Sequence, residues 1–378
     1  MTALLPEYMQ ALCQEMSSSL NQLPEGTTIH SIYFGGGTPS LVSSQQYQDL
    51  FDVLRSSAQM EENAEISLEA NPGTVTRQYL DDLIETGFNR ISFGMQSALD
   101  RELRILNRQH HYEDMLNAVK WSKQAGFGHI NLDLIFGLPG QTVQDWMRSL
   151  EAAMRFNIVH LSIYSLIVEE GTPLKRWIDR GLLELPDEDL AGEIYERTID
   201  LLSDNGFLQY EISNWSRGEG SRCRHNLQYW RFLPYLGFGA GAHGFWGQFR
   251  TENVNTIGEY IQRIKANNQS GFPAGAAALT RACLSEWERM QENMMVTLRL
   301  TEEGISCEDF RNRFGSDMRV VFDRQISRLL RVGLVEWSDQ QSRLRLTRRG
   351  KLLGNRVFSE FVGNTAPAGF DYLETQYT

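Results

Sequence analysis

Polar and glycine residues recur at one kind of place in this sequence, the end of a short apolar run, and their types define a ligand before any element is assigned. GGGTPS (35–40) follows the run that ends at Phe34. Glu69 closes EISLEANP, Gln96 closes ISFGMQS, Asp133 lies inside NLDLIFGLPGQT, and Tyr164 and Ser165 lie in LSIYSL. Arg108 precedes a helical pattern that starts near Tyr112. Two carboxyl groups, an amide, a guanidinium and bare backbone suit a ligand with an amino group, a carboxylate and sugar hydroxyls. Singly, each of these is an ordinary turn residue; only their joint placement points to a site. GGGTPS has neither the GxxxxGK[ST] lysine nor the GxGxxG spacing, so it is not a phosphate or dinucleotide loop. Adjacent glycines without Cβ atoms instead let backbone amides and carbonyls face a small charged group at contact distance.

The elements that must hold these residues are strands alternating with helices. Thr28–Phe34, Ala64–Leu68, Arg90–Phe93, His129–Phe136 and His160–Leu166 read as buried strands bounded by Gly, Pro, Asn or Ser. Apolar residues at i, i+3 and i+4 predict helices over 47–54, 77–86, 112–125 and 143–155, with Gly87 and Gly126 as stops. A further helix, Asp187–Asn205, leads into the strand-like LQYEIS. Such βα repeats predict an α/β fold with a parallel sheet, either doubly wound or curved into a full or partial barrel, and of these an incomplete (β/α) barrel over 28–166 is expected. In that fold GGGTPS, Glu69, Gln96 and Asp133 converge at one mouth, because ligands sit at the carboxyl ends of parallel strands.

After Phe245 the pattern changes. Thr256–Asn267 reads as a helix, and GFPAGAAALT as a small-residue connector. From Glu286 the order is helix, helix, helix, the hairpin LVEWSDQQSRLRLTRRG, then a helix, which outlines a winged-helix-like α+β module. The expected organisation is a barrel with the HNLQYW segment over 1–245, a connector over 246–285, the C-terminal module over 286–362 and a tail over 363–378. Residues 301–362 carry 12 Lys or Arg against 9 Asp or Glu, too slight an excess for a DNA-reading helix.

Composition excludes several classes. A chain of 378 residues with 41% hydrophobic content can bury a full core, and a net charge of -12 argues against general affinity for nucleic acid or anionic membrane. A local basic patch and peripheral membrane contact stay open. The opening MTALLPEYMQ lacks the design of a signal peptide and no run of membrane-spanning length occurs, so a cytoplasmic location is expected. Cys13, Cys223, Cys283 and Cys307 lie far apart and are expected to be reduced, structural thiols.

GGGTPS, LEANP, ISFGMQS, NRQH and DLIFGLPGQT, in this order, resemble the radical S-adenosylmethionine core of the oxygen-independent coproporphyrinogen-oxidase family. HNLQYWRFLPYLGFGAGAH (225–243) resembles its HemW branch of haem chaperones. The likeness spans roughly 5–362. It implies S-adenosylmethionine as cofactor, with Gly36, Gly37 and Thr38 near its methionine end and Glu69, Gln96, Arg108 and Asp133 on its polar groups and ribose. It also implies haem binding by the HNLQYW segment through His225, Asn226, Tyr229 and Trp230, with His225 as the axial candidate for the iron, and a haem-accepting protein as partner. The residues alone leave another reading of that segment, a helix-capping loop with Tyr229 and Trp230 in the core. A thiolate ligand at Cys223 is a minor alternative, and His243 is read as structural.

One departure stands out. The resemblance implies a CxxxCxxC loop holding a [4Fe-4S] cluster, and no such spacing occurs in this sequence. Either a native extension precedes Met1 or the cluster has been lost, and in the sequence as it stands strand 28–34 is expected to lie exposed at an edge. Two functions follow as alternatives: a haem chaperone, favoured by HNLQYW, and an oxygen-independent coproporphyrinogen III oxidase, which needs the cluster.

Overall fold

The computed structural model describes residues 2–185, 187–267 and 271–363. By internal contact they form two compact units, one spanning 25–225 and the other joining 1–24 to 226 onward. Beyond Gly363 the expected tail lies outside the described residues.

The chain begins with helix α1 (Leu5–Leu20) and then alternates β1 (Thr28–Phe34), α2 (Ser44–Ser57), β2 (Gln59–Ala70), α3 (Arg77–Thr86), β3 (Arg90–Gln96), α4 (Asp100–Ile105), α5 (Tyr112–Ala125), β4 (His129–Phe136), α6 (Val143–Arg155) and β5 (His160–Ser165). There follow α7 (Pro173–Asp179), α8 (Glu188–Asp204), the short strands β6 (Leu208–Glu211) and β7 (Asn214–Ser216), and α9 (Arg224–Trp230). Ser43 with Gln46 and Thr142 with Asp145 form capping boxes at the starts of α2 and α6, while α3 and α5 stop at Gly87 and Gly126, both at positive φ.

The sheet of the 25–225 unit has seven strands in the order β1-β2-β3-β4-β5-β7-β6, with the first five parallel and the last two joined antiparallel. This is the expected parallel half-barrel, with β1 as an outer strand. β2 starts earlier than its apolar run, at Gln59, because Gln59 and Met60 pair with Thr28 and Ile29 across a register shift; such edge pairing needs no buried side chain. LQYEIS is the first arm of a tight hairpin, too short to show its turn by periodicity.

In the other unit, α1 packs on α10 (Ile257–Ala266) through a core of Ala11, Tyr260, Ile261 and Ile264. An antiparallel sheet of β8 (His243–Trp246), β9 (Phe249–Asn253) and β10 (Ala278–Cys283) lies in the same unit, in the order β10-β9-β8. The stretch 246–285, read above as a connector holding one helix at 256–267, has that helix as α10 and carries two strands besides. β10 is exposed along most of its length, so it has no apolar alternation to reveal it. Then come α11 (Glu286–Thr297), β11 (Ile305–Ser306), α12 (Cys307–Phe314), α13 (Met318–Val321), α14 (Asp323–Arg331), the hairpin β12 (Val335–Ser338) and β13 (Arg343–Leu346), α15 (Arg348–Leu352) and α16 (Gly354–Ser359). Helices followed by a wing, with β11 paired to β13, give the expected α+β module. Among the described residues no helix is long and apolar enough to cross a membrane.

Candidate functional site

Alternation along the five parallel strands builds the site. One sheet face carries Leu68, Ile91, Phe93, Leu132, Leu134, Leu161 and Ile163, all buried against the helices. The strand registers bring the intervening residues into rows on the other face: Ser31 beside Glu65, Glu69 beside Ser92, Ser92 beside Asn131, Asn131 beside His160, and Asp133 beside Ser162. A parallel strand buried on both faces is ordinarily apolar throughout. A polar inner face therefore marks a cavity wall.

At the carboxyl ends of these strands the backbone of Gly36 and Gly37 adopts φ of 83° and 61°, conformations that favour glycine, and a Cβ at either position would meet nothing within 4 Å. The Gly36 N–H donates to one oxygen of Glu69 at 3.2 Å and the Tyr33 hydroxyl donates to the other. Thr38 caps the short 3-10 turn Pro39–Leu41 through its backbone. Asp133 accepts from Ser92 at 2.9 Å and from Asn131 at 2.7 Å, yet burial and the neighbouring Glu69 charge push its carboxyl up to about 6. Glu69, Asp133, Tyr33 and Tyr164 are close enough to perturb one another electrostatically.

Gln96 sits at φ 62° with the Ser97 N–H bonded to Met95 O at 2.7 Å, a strained turn for a residue with a side chain. It is 6% exposed, and its Oε1 is buried without a hydrogen-bond partner among the described residues. Arg108 is not drawn in with the others. It lies in the loop after α4 with its side chain exposed, and no ion pair holds it among the described residues.

His225 lies against β1, just ahead of the glycine motif. Its imidazole stacks on Tyr33 with ring centroids 4.8 Å apart at 17°, and its Nδ1 lies 3.3 Å from Ser31 Oγ. Burial lowers its pKa to about 4, so the ring is neutral at physiological pH. Glu65 seats the start of α9 by accepting the N–H groups of Arg224 at 3.1 Å and His225 at 3.0 Å, as well as the Cys223 thiol at 3.3 Å. Arg90 pairs with Glu65 at 3.4 Å, both side chains buried. The remainder of HNLQYW falls in the other unit, where Tyr229 meets Tyr235 edge-on at 4.6 Å and Arg299 lies 4.4 Å over the Trp230 ring. His243 opens β8 with its side chain exposed.

Sequence reasoning missed the buried part of this wall, Glu65, Arg90, Asn131 and His160, as well as Tyr33 at the end of β1 and Tyr210 on β6. Their signal was present as period-2 polar residues, Glu65-Ser67-Glu69 and His129-Asn131-Asp133, inside strands read as wholly buried.

The four cysteines lie on α1, before α9, in β10 and at the start of α12, and among the described residues no three His, Cys, Asp or Glu are grouped to hold a metal ion. The residues present do not fit a [4Fe-4S] cluster.

Residues 19–153 match the Radical SAM superfamily and residues 284–353 the HemN C-terminal domain. The fold is similar to that of coproporphyrinogen III oxidase (HemN) from Escherichia coli, with TM-score 0.79 at 22% identity over 94% of this chain and 82% of that one. Half-barrel and C-terminal region together define a radical SAM-type scaffold. At the sequence level the chain is similar to proteins named Heme chaperone HemW: 37% identical to that of Bacillus subtilis over 94% of this chain and 91% of the relative, and 35% identical to that of Mycobacterium tuberculosis over 94% and 86%. This chain belongs to the HemW family.

Proposed function

We propose that this chain is a haem chaperone, which binds haem through His225 and passes it to an acceptor protein, on a scaffold whose mouth takes S-adenosylmethionine. Family membership supports the chaperone reading. The observation that carries it is His225 itself, a neutral imidazole held flat by Tyr33 on a helix seated by Glu65. In this reading Asn226, Tyr229 and Trp230 complete the haem-binding segment.

The mouth fits S-adenosylmethionine on three counts: two carboxylates, the open backbone at Gly36 and Gly37, and the unpartnered Gln96 Oε1. Glu69 takes the ammonium, Asp133 the ribose hydroxyls, and Gly36, Gly37 and Thr38 flank the methionine end; Arg108, exposed on its loop in the ligand-free chain, swings toward the carboxylate only when the ligand binds. Once bound, the ligand supplies a sulfonium cation and hydroxyl donors that offset the repulsion between Glu69 and Asp133.

Titration of the purified chain with haem, followed by absorption, tests the proposal. Saturable binding at micromolar haem is expected, and His225→Ala should shift the spectrum of the bound haem or abolish binding. No saturable binding by the wild type rejects the chaperone reading, and turnover of coproporphyrinogen by the same preparation would replace it with the oxidase.

A further inference from the structure

We propose that Tyr33 couples the two ligand positions, so that an amine-bearing ligand at Glu69 weakens the hold of His225 on haem. The proposal rests on the reading above and adds its regulation. Tyr33 touches both positions at once: its hydroxyl donates to Glu69, and its ring lies on the imidazole of His225 at 4.8 Å between centroids. The same ring lies against the glycine motif, where any side chain at Gly35 would collide with it. A phenol ring moves as one body about two torsions, so the hydroxyl bond to Glu69 restrains the ring that stacks on His225.

The Glu69 carboxylate is already engaged, one oxygen by Tyr33 and the other by the Gly36 N–H. A ligand ammonium is a stronger, charge-assisted donor than a phenol, and it displaces the Tyr33 hydroxyl from Glu69. The untethered ring then no longer fixes the imidazole plane that axial coordination requires. By linkage, haem weakens the amine-bearing ligand by the same factor. Occupancy at the mouth thus favours haem release, the step that a transfer protein must control.

The test is haem titration of the full chain with and without saturating S-adenosylmethionine, for the wild type and Tyr33→Phe. In the wild type, S-adenosylmethionine should raise the haem Kd about fivefold, the scale of one lost stacking contact. Tyr33→Phe, without the tether, should bind haem like the S-adenosylmethionine-loaded wild type and show no further shift. Isothermal titration of S-adenosylmethionine into haem-free and haem-loaded wild type should give the reciprocal factor. Wild-type haem binding that ignores S-adenosylmethionine, or a full shift retained in Tyr33→Phe, overturns the coupling and leaves the chaperone reading standing. Absence of haem binding in the wild type rejects both.

Discussion

Asp133 is a carboxyl held at a cost. Its folded-state pKa of about 6 exceeds the ordinary 3.8, chiefly through burial, so the folded chain binds the proton more tightly than the unfolded one. The stability this contributes is complete below about pH 4 and is lost as pH rises through about 6. Asp133→Asn should therefore stabilise the ligand-free chain at neutral pH by about 1–2 kcal/mol in urea unfolding. The same substitution should weaken S-adenosylmethionine binding, since an amide does not replace the charge. A variant no more stable than wild type at neutral pH would show that hydrogen bonds from Ser92 and Asn131 already offset the burial. Strain at Gln96 belongs with this: both residues give up stability where a ligand is expected.

At the scale of elements, α9 has seven residues, too few to be stable alone, and its position comes from partners. Glu65 on β2 accepts its first amides, and Arg90 on β3 neutralises Glu65 while donating to Ser221 O at 3.3 Å. A second tie runs through the sheet. The Cys223 N–H donates to Tyr210 Oη at 3.3 Å, and the Tyr210 hydroxyl lies 2.8 Å from His160 Nε2. His160 Nδ1 lies 2.6 Å from Asn131 Oδ1, and Asn131 donates to Asp133. With His160 kept neutral by burial, this chain of donors has one consistent direction, from α9 toward the mouth. Glu65→Ala removes one partner of a buried pair and should destabilise the protein by about 3–5 kcal/mol, whereas Glu65→Gln, which still accepts the amides, should cost less. Equal urea midpoints for the two variants would contradict the role given to the charge.

For the whole molecule, the unit containing the winged-helix-like module is assembled from both parts of the chain, because α1 supplies Glu15. That side chain is 4% exposed and accepts from Gly239 N–H and Asn253 Nδ2, each at 2.8 Å, and from the Tyr260 hydroxyl at 2.7 Å. Tyr8, two turns earlier on the same face of α1, accepts the Ala240 N–H at 3.2 Å. The glycine-rich turn after HNLQYW is thus held by a helix more than two hundred residues away in sequence. Glu15→Ala leaves the buried Gly239 N–H and Tyr260 hydroxyl without their acceptor, while Asn253 Nδ2 keeps Gly239 O, and should cost about 3 kcal/mol, since each unsatisfied group loses about 1–3 kcal/mol. Hydrogen exchange should quicken at Gly239, Ala240 and Asn253 and stay slow in β3 and β4. Acceleration spread evenly over both units would argue for a single cooperative structure instead.

The parallel βα order, the helices 77–86, 112–125 and 143–155, and the placing of Gly36, Glu69 and Gln96 at the carboxyl ends of strands were legible in the sequence. Each follows from local periodicity plus the rule that places loops at strand ends, and none needs a long-range contact to be inferred. Strand β10 was not legible, because it is held by pairing with β9 and buries little. The tertiary structure alone decided that α1 joins the C-terminal unit, that Tyr33 lies between Glu69 and His225, and that Glu65 seats α9. These are side-chain contacts between residues 36 to 238 positions apart, and composition and spacing carry no record of which distant polar groups will meet. Register supplies part of that record: once β1 to β5 align, the pleat turns Ser31, Glu65, Ser92, Asn131 and His160 onto one face, where Asn131 bonds both Ser92 and His160 while Ser31 and Glu65 are left to meet the residues that open α9.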